Sequence, residues 1–375
     1  DLQFIQSIPE QDQLLAAAMR HAGNVLVSEC IQKIILSNTE NRFSGRDDCS
    51  NSYRLPFIDK ENGSDQIDAM LTGLRKIPPT DVISDAVLDR APFYLPDQLQ
   101  HPTIQEVWMF FDVLAEHPSL PLVAWMNYLR REGRLNNIIP THQTASIWLA
   151  EQRASCKVDP QQFTLNESSN SNFKNRLEQL ICGSDTRYLN YYGPPKRIRT
   201  LSYKDVYNGQ GEGLHGRVVF IGKSNTLFAQ GKADFFLTPF ADDQTGRMAG
   251  VEILATQFSN LLNDQFIETP IPPILIIVCF GIGISLLLVL LGRFVGFSVS
   301  LAGFCAYIGF SVYQFHNAIW LPIVTPFWQL LGSYAIYLVW QISDLLRERK
   351  YIYEFIKKVF PQWADLVPHL PKLWD

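Results

Sequence analysis

Hydrophobic positions fall into two regimes. Before Ile271 they come in short blocks separated by polar stretches; from Ile271 to Trp340 they run almost unbroken. In the first regime, Asp12 to Ala22 carries a Leu14, Leu15, Ala18, Met19 stripe, which predicts a helix stopped by Gly23. Asn24 to Ser28 predicts a short apolar strand. Pro118 to Gly133 and Thr144 to Ala154 predict amphipathic helices. Tyr188 to Tyr192 predicts a strand stopped by Gly193, Pro194 and Pro195. Arg217 to Ile221 predicts a strand of the buried, parallel-sheet kind. Gly250 to Leu262 predicts the helix that follows it. Ser44–Ser52, Lys60–Gln66 and Val158–Asn172 are polar and predict loops. Strand and helix alternate, so the expected fold is α/β: a mixed or mostly parallel sheet with flanking helices.

The second regime divides into three runs, Ile274–Leu291, Phe294–Tyr313 and Leu321–Trp340. At about 1.5 Å per residue each approaches the ~30 Å of a hydrocarbon core, so three transmembrane helices are expected. Arg293 is the only formal charge between Ile271 and Trp340. It lies in the first turn, and Arg347, Arg349, Lys350, Lys357 and Lys358 follow the third run, whereas the turn at Gln314–Asn317 has neither Lys nor Arg. The excess of Lys and Arg marks the cytoplasmic side. The expected topology is a multi-pass protein of the inner or plasma membrane, with residues 1–270 extracytoplasmic and 341–375 cytoplasmic. Ser298, Ala302 and Ala306 share a helical face at a spacing that permits close helix packing; ordinary small-residue content is the alternative.

Composition narrows the function. Residues 1–270 hold 25 Lys and Arg against 32 Asp and Glu, a net charge of −7, which suits neither nucleic acid nor anionic lipid. The chain opens on Asp1 without a charged leader, so it is expected to be an interior piece of a longer protein. Cys30, Cys49, Cys156 and Cys182 lie in the outer part, where an oxidising compartment favours pairing. Cys30–Cys49 and Cys156–Cys182 are the local pairings, and free buried thiols are the alternative.

No catalytic constellation, cofactor or metal site is expected. Gly222–Lys223–Ser224 resembles the end of a phosphate loop, but Arg217 occupies the position of its first glycine. A Gly-x-Ser-x-Gly elbow is lacking, and the seven His residues are scattered. Asp47–Asp48 and Asp242–Asp243 read as solvated loop acids. The absence of transmembrane Asp, Glu or Lys leaves a transporter without a carrier group.

Several stretches resemble the type-two CHASE domain, a sensory extracellular domain associated with cyclases and histidine kinases. Asn190–Tyr191–Tyr192–Gly193–Pro194 with Thr200–Val206 is similar to one motif, and Leu214–Gly222 to a second. Asp234–Phe240, including Thr238 and Pro239, is similar to a third. Ala249–Ala255, including Gly250 and Glu252, with Asn260–Leu261–Leu262, is similar to a fourth. Leu15–Val27 and Pro118–Leu122 match more weakly. Ala249 and Leu254 depart from the family's Pro and His, and residues 30–66 and 156–182 look like additions.

The resemblance implies an extracytoplasmic sensor over residues 1–268, three membrane helices over 272–340, and a cytoplasmic linker over 341–375. It also implies that a membrane segment and a first strand precede Asp1. An unknown small-molecule or peptide stimulus outside would act on an adenylate or guanylate cyclase, or on a protein kinase, inside. Ile342, Leu345, Ile352, Ile356 and Val359 fall on a/d-like spacing; they suit either a helix joining two copies in a homodimer or an amphipathic helix at the inner leaflet. The alternative to a receptor is a membrane-anchored binding protein or enzyme without signalling output.

Overall fold

The computed structural model describes residues 8–35, 72–95, 103–135, 138–159, 171–222, 235–240, 246–269 and 271–359. The chain divides into two compact units, Asp1–Phe266 and Ile267–Asp375.

In the first unit α1 (Pro9–Ala22) begins with Pro9 and carries Glu10 and Asp12 in its first turn, where acids oppose the positive end of the helix dipole. It ends as expected at Gly23, which is left-handed (φ 63°) and donates its N–H to the Met19 carbonyl. The chain then enters β1 (Leu26–Ile35), longer than the apolar run that announced it. β2 (Thr72–Ile77), the one-turn helix α2 (Asp81–Ser84) and β3 (Asp89–Pro92) follow.

β1 is the middle strand. It pairs antiparallel with β2 and parallel with β3, so the sheet is mixed rather than mostly parallel. The remaining ladders are short antiparallel pairs. β4 (Glu106–Trp108) pairs with β7 (Thr186–Tyr188), β5 (Phe110–Phe111) with β6 (His117–Pro118), and β8 (Phe235–Phe236) with β9 (Met248–Ala249).

Successive side chains of a strand point to opposite faces, and this sets the layers. Val27 packs with Ala16, Met19 and Ile83 of α1 and α2. On the other face, Leu26 and Ala91 meet the main core. That core is built around α3 (Leu120–Arg131), in which residues 120–127 are all buried. A helix apolar on every side needs neighbours on every side. α4 (Ala145–Val158), α5 (Ser171–Cys182), α6 (Tyr203–Tyr207) and α7 (Gly250–Asn263) follow in sequence, and α4, α5 and α7 contribute Leu149, Leu177 and Leu261 to the same core. The start of α5 falls at the end of a stretch whose polarity suggested a loop.

Arg153 locks α4 to the end of α5. It donates to the Ile181 carbonyl at 2.6 Å, the Gly183 carbonyl at 2.8 Å and Asp185 Oδ1 at 2.6 Å, and lies 5.2 Å from the Phe110 ring centre. A buried guanidinium is tolerable only with such a set of partners. One turn on, Cys156 is disulfide-bonded to Cys182. Cys30 is also disulfide-bonded, and Cys49 lies outside the described residues.

Of the strand expected at Tyr188–Tyr192 only Tyr188 is kept, as the last residue of β7, and the strand expected at Arg217–Ile221 is not formed among the described residues. Residues 217–221 carry no ladder among the described residues, and Val218, Val219 and Ile221 are 40%, 50% and 70% exposed. Phe220 alone turns inward, edge-on to Phe258 at 5.4 Å. An apolar run becomes a strand only where another strand supplies its hydrogen bonds.

The second unit contains α8 (Pro273–Leu291), α9 (Arg293–His316) and α10 (Val324–Val359). Among the described residues two helices, not the three expected, are long and apolar enough to cross a membrane: Pro273–Leu291 and the Phe294–His316 part of α9. α10 continues unbroken for 36 residues, past Trp340 where the third apolar run ends, as the a/d-like spacing beyond it requires. Aromatic contacts hold the three together, with Phe280–Tyr307 centres 4.7 Å apart and Phe297–Tyr334 centres 4.3 Å apart. A Cβ on Gly296 would sit 2.6 Å from the Leu287 carbonyl oxygen, so only glycine lets α9 start this close to α8. Ser298, Ala302 and Ala306 are exposed and are not the packing face within the chain; Gly296, Ser300, Phe304 and Ser311 are buried instead.

Candidate functional site

Two constructions in the first unit bring polar chemistry together. The first is a charged cluster on the α1 face of the three-stranded sheet. The register pairs Val27 with Arg90 and Ile31 with Lys76. Glu29 lies between Val27 and Ile31 on that face, so Arg90 and Lys76 flank it diagonally. Its Oε1 is 3.2 Å from Arg90 Nε, and its Oε2 is 3.9 Å from Lys76 Nζ and 3.6 Å from His117 Nε2. The Glu29 side chain is buried, whereas those of Lys76 and Arg90 are a third or more exposed.

Burial pushes the Glu29 carboxyl above its ordinary value and outweighs the two cations. Burial, then Lys76 and Arg90, push His117 down to about 4. The imidazole is therefore neutral at pH 7, and its approach to Glu29 is not an ion pair. Burial also lowers the Lys76 ammonium below its usual range.

The second construction surrounds α7, the last helix of the unit. Asn260 is fully buried. The Asn190 N–H donates to its Oδ1 at 2.8 Å, and its Nδ2 donates to the Asn190 carbonyl at 3.0 Å and to the Tyr192 hydroxyl oxygen at 3.1 Å. At the end of α7, Arg176 donates to the Leu261 carbonyl and pairs with Asp264 at 2.9 Å. Burial draws that guanidinium below its usual range while Asp264 opposes the shift. Asp264 is left-handed (φ 57°), a conformation costly for a residue with a Cβ.

Four of the family-motif positions, Asn190, Gly222, Gly250 and Glu252, lie on or against α7. Asn190 is fastened to α7 through Asn260. Gly193 follows with φ 141°, ahead of Pro194. Gly222 touches the first turn of α7, where a Cβ would lie 2.7 Å from Val251 Cβ. Its place after the run 217–221 thus serves close packing. Gly250 opens α7 and Glu252 lies in its first turn. Thr238 is buried and Pro239 is exposed in a turn after β8. Asp234 lies outside the described residues, as do Asp47, Asp48, Asp242, Asp243, Lys223 and Ser224.

Sequence reasoning missed Glu29, His117, Arg153 and Arg176. Each is one polar residue within an otherwise ordinary helix or strand, and only its distant partners distinguish it. Among the described residues, no group of three or more His, Cys, Asp or Glu could hold a metal ion.

The family model described as "CHASE2 domain" matches residues 1–292. No curated protein matches the chain, and no solved structure does.

Proposed function

The chain belongs to the CHASE2 domain family, extracellular sensory domains of signalling receptors, and from that premise we propose that it is the sensory and membrane-crossing module of a receptor. Residues 1–268 meet a small-molecule or peptide stimulus outside the cell membrane. α8, α9 and the first half of α10 cross it three times, and the second half of α10 leads toward a cyclase or protein kinase domain inside.

The observation that carries this reading is the continuity of α10. One helix passes from the apolar stretch beginning at Val324 into the charged stretch Arg347–Lys358 without a break. Such a helix links what happens at its outer end to whatever follows its inner end. Outward-facing Ile274, Ile282, Leu286 and Val289 on α8 suit contact with lipid. Ile342, Leu345 and Val359 are exposed in the single chain, which supports pairing of α10 with a second copy.

The test is labelling from one side. In a Cys279→Ser, Cys305→Ser background, a membrane-impermeant maleimide applied to intact cells should modify Tyr203→Cys and leave Lys357→Cys unmodified until the membrane is opened. Labelling of both in intact cells, or of neither after opening, refutes the topology. Joining the chain to a cyclase output and finding no response to any stimulus that stabilises the outer unit would favour an anchored binding protein without signalling.

A further inference from the structure

Ile267–Glu268 begins the second unit and leads into α8. Before α8 starts, this segment hydrogen-bonds to the connection between α9 and α10. Glu268 and Ile319 form a parallel β-bridge. The Glu268 N–H donates to the Ala318 carbonyl at 2.8 Å, and the Trp320 N–H donates to the Glu268 carbonyl at 2.9 Å. Residues two whole helices apart in sequence are thus joined by two main-chain bonds.

The receiving turn is built for this. Ala318 N–H donates to the Phe315 carbonyl and Ile319 N–H to the Gln314 carbonyl, each at 3.0 Å, the double bond pattern that closes a helix on a left-handed residue. That residue is Ala318, with φ 60°, where glycine would be free of strain. Beyond it, Leu321 and Pro322 are buried, and the Tyr307 hydroxyl donates to the Pro322 carbonyl at 2.8 Å. α10 starts at Val324, a few residues past Trp320.

From this geometry we infer that the rung at Glu268 couples the sensory unit's outgoing segment directly to α10, so that α10 rather than α8 carries the signal inward. The covalent path from Glu268 runs through α8 and α9 before it reaches α10. The rung bypasses both, and a displacement of residues 267–269 reaches Leu321–Val324 through main-chain bonds. Two such bonds are modest in water, and the strain at Ala318 works against them. The contact can therefore open and re-form, as a two-state element must. The inference rests on the proposed topology, in which Glu268 and Ala318 share the outer side.

The experiment uses the full chain in membrane vesicles with Cys279 and Cys305 replaced by Ser. A thiol reporter is placed on α10 (Ser343→Cys) or at the end of α8 (Leu291→Cys), and its rate of alkylation by an impermeant maleimide from the cytoplasmic side is read. Glu268→Pro removes the N–H that Ala318 accepts. It should change the rate at 343 by about five-fold, the shift that loss of one main-chain hydrogen bond produces in an equilibrium, and leave 291 unaltered. Ala318→Gly relieves the strain, should fold at least as well, and should shift 343 in the opposite sense. Equal changes at 343 and 291, or no change at 343 in either variant, overturn the inference while the topology stands. A residue 343 reached only from the outer side refutes the topology and the inference with it.

Discussion

Asn260 and Asn190 satisfy each other: the amide of one accepts from the main-chain N–H of the other and donates to its carbonyl, at 2.8 and 3.0 Å. A side chain here does what a neighbouring strand would do. Residues 189–192 therefore lie against α7 as an extended segment even though regular pairing stops at Tyr188. The same amide reaches Tyr192, so α7 is hydrogen-bonded to both ends of the Asn190–Tyr192 stretch.

Replacing Asn260 by Ala leaves the Asn190 N–H and carbonyl without their partner. A stability loss of about 2–3 kcal/mol is expected, measured by denaturant unfolding in detergent. Tyr192→Phe, which removes only the hydroxyl, should cost under about 1 kcal/mol. Equal losses would show that Asn190 does not depend on the amide.

Gly222→Ala places a methyl group against Val251. Overpacking of this kind should cost about 1–3 kcal/mol. Val251→Ala combined with it should restore more than half of the loss, since the two side chains compete for one space. Two losses that simply add would mean that the clash is not with Val251.

Stability should depend on pH through His117. The unfolded chain holds that proton up to an ordinary pKa of 6.5, and the folded chain only to about 4. Between these values the unfolded state binds more protons, so stability falls as pH drops through the window. The raised Glu29 acts with the opposite sign. Its native carboxyl takes up a proton before the unfolded one does, which offsets part of the loss. His117 by itself contributes a fall of about 2–3 kcal/mol from pH 6.5 to 4, which Glu29 reduces and which His117→Asn should abolish. An identical pH profile in that variant would place the dependence elsewhere.

Arg153→Lys keeps the charge but cannot reach the Ile181 and Gly183 carbonyls and Asp185 at once. A loss of about 3 kcal/mol is expected by thermal unfolding. Cys156→Ser with Cys182→Ser, which opens a link between residues 26 apart, should cost a comparable amount, about 3 kcal/mol. Little effect from either change would mean that α4 and the end of α5 are held by core packing alone.

Much of this molecule was legible before folding. Helix periodicity gave α1, α3, α4 and α7 within a few residues, because apolar spacing and end signals such as Gly23 act over one or two turns. Charge depletion gave two of the three expected membrane-length helices, since the cost of burying charge in hydrocarbon is a property of the segment itself. The motifs around Asn190 and Gly250 gave the family.

Tertiary structure alone decided the rest. Val218, Val219 and Ile221 had the composition of a buried strand, yet a strand is defined by the chain beside it, and sequence does not say which chain that is. Glu29 became a perturbed acid only when the fold buried its carboxyl, more than the diagonal Arg90 and Lys76 could offset. Ala318 came to accept from the Glu268 N–H only once α8 and α9 had packed against each other. Periodicity records short-range sterics and burial, whereas the energy of a buried charge or an unpaired amide depends on groups that arrive from far along the sequence.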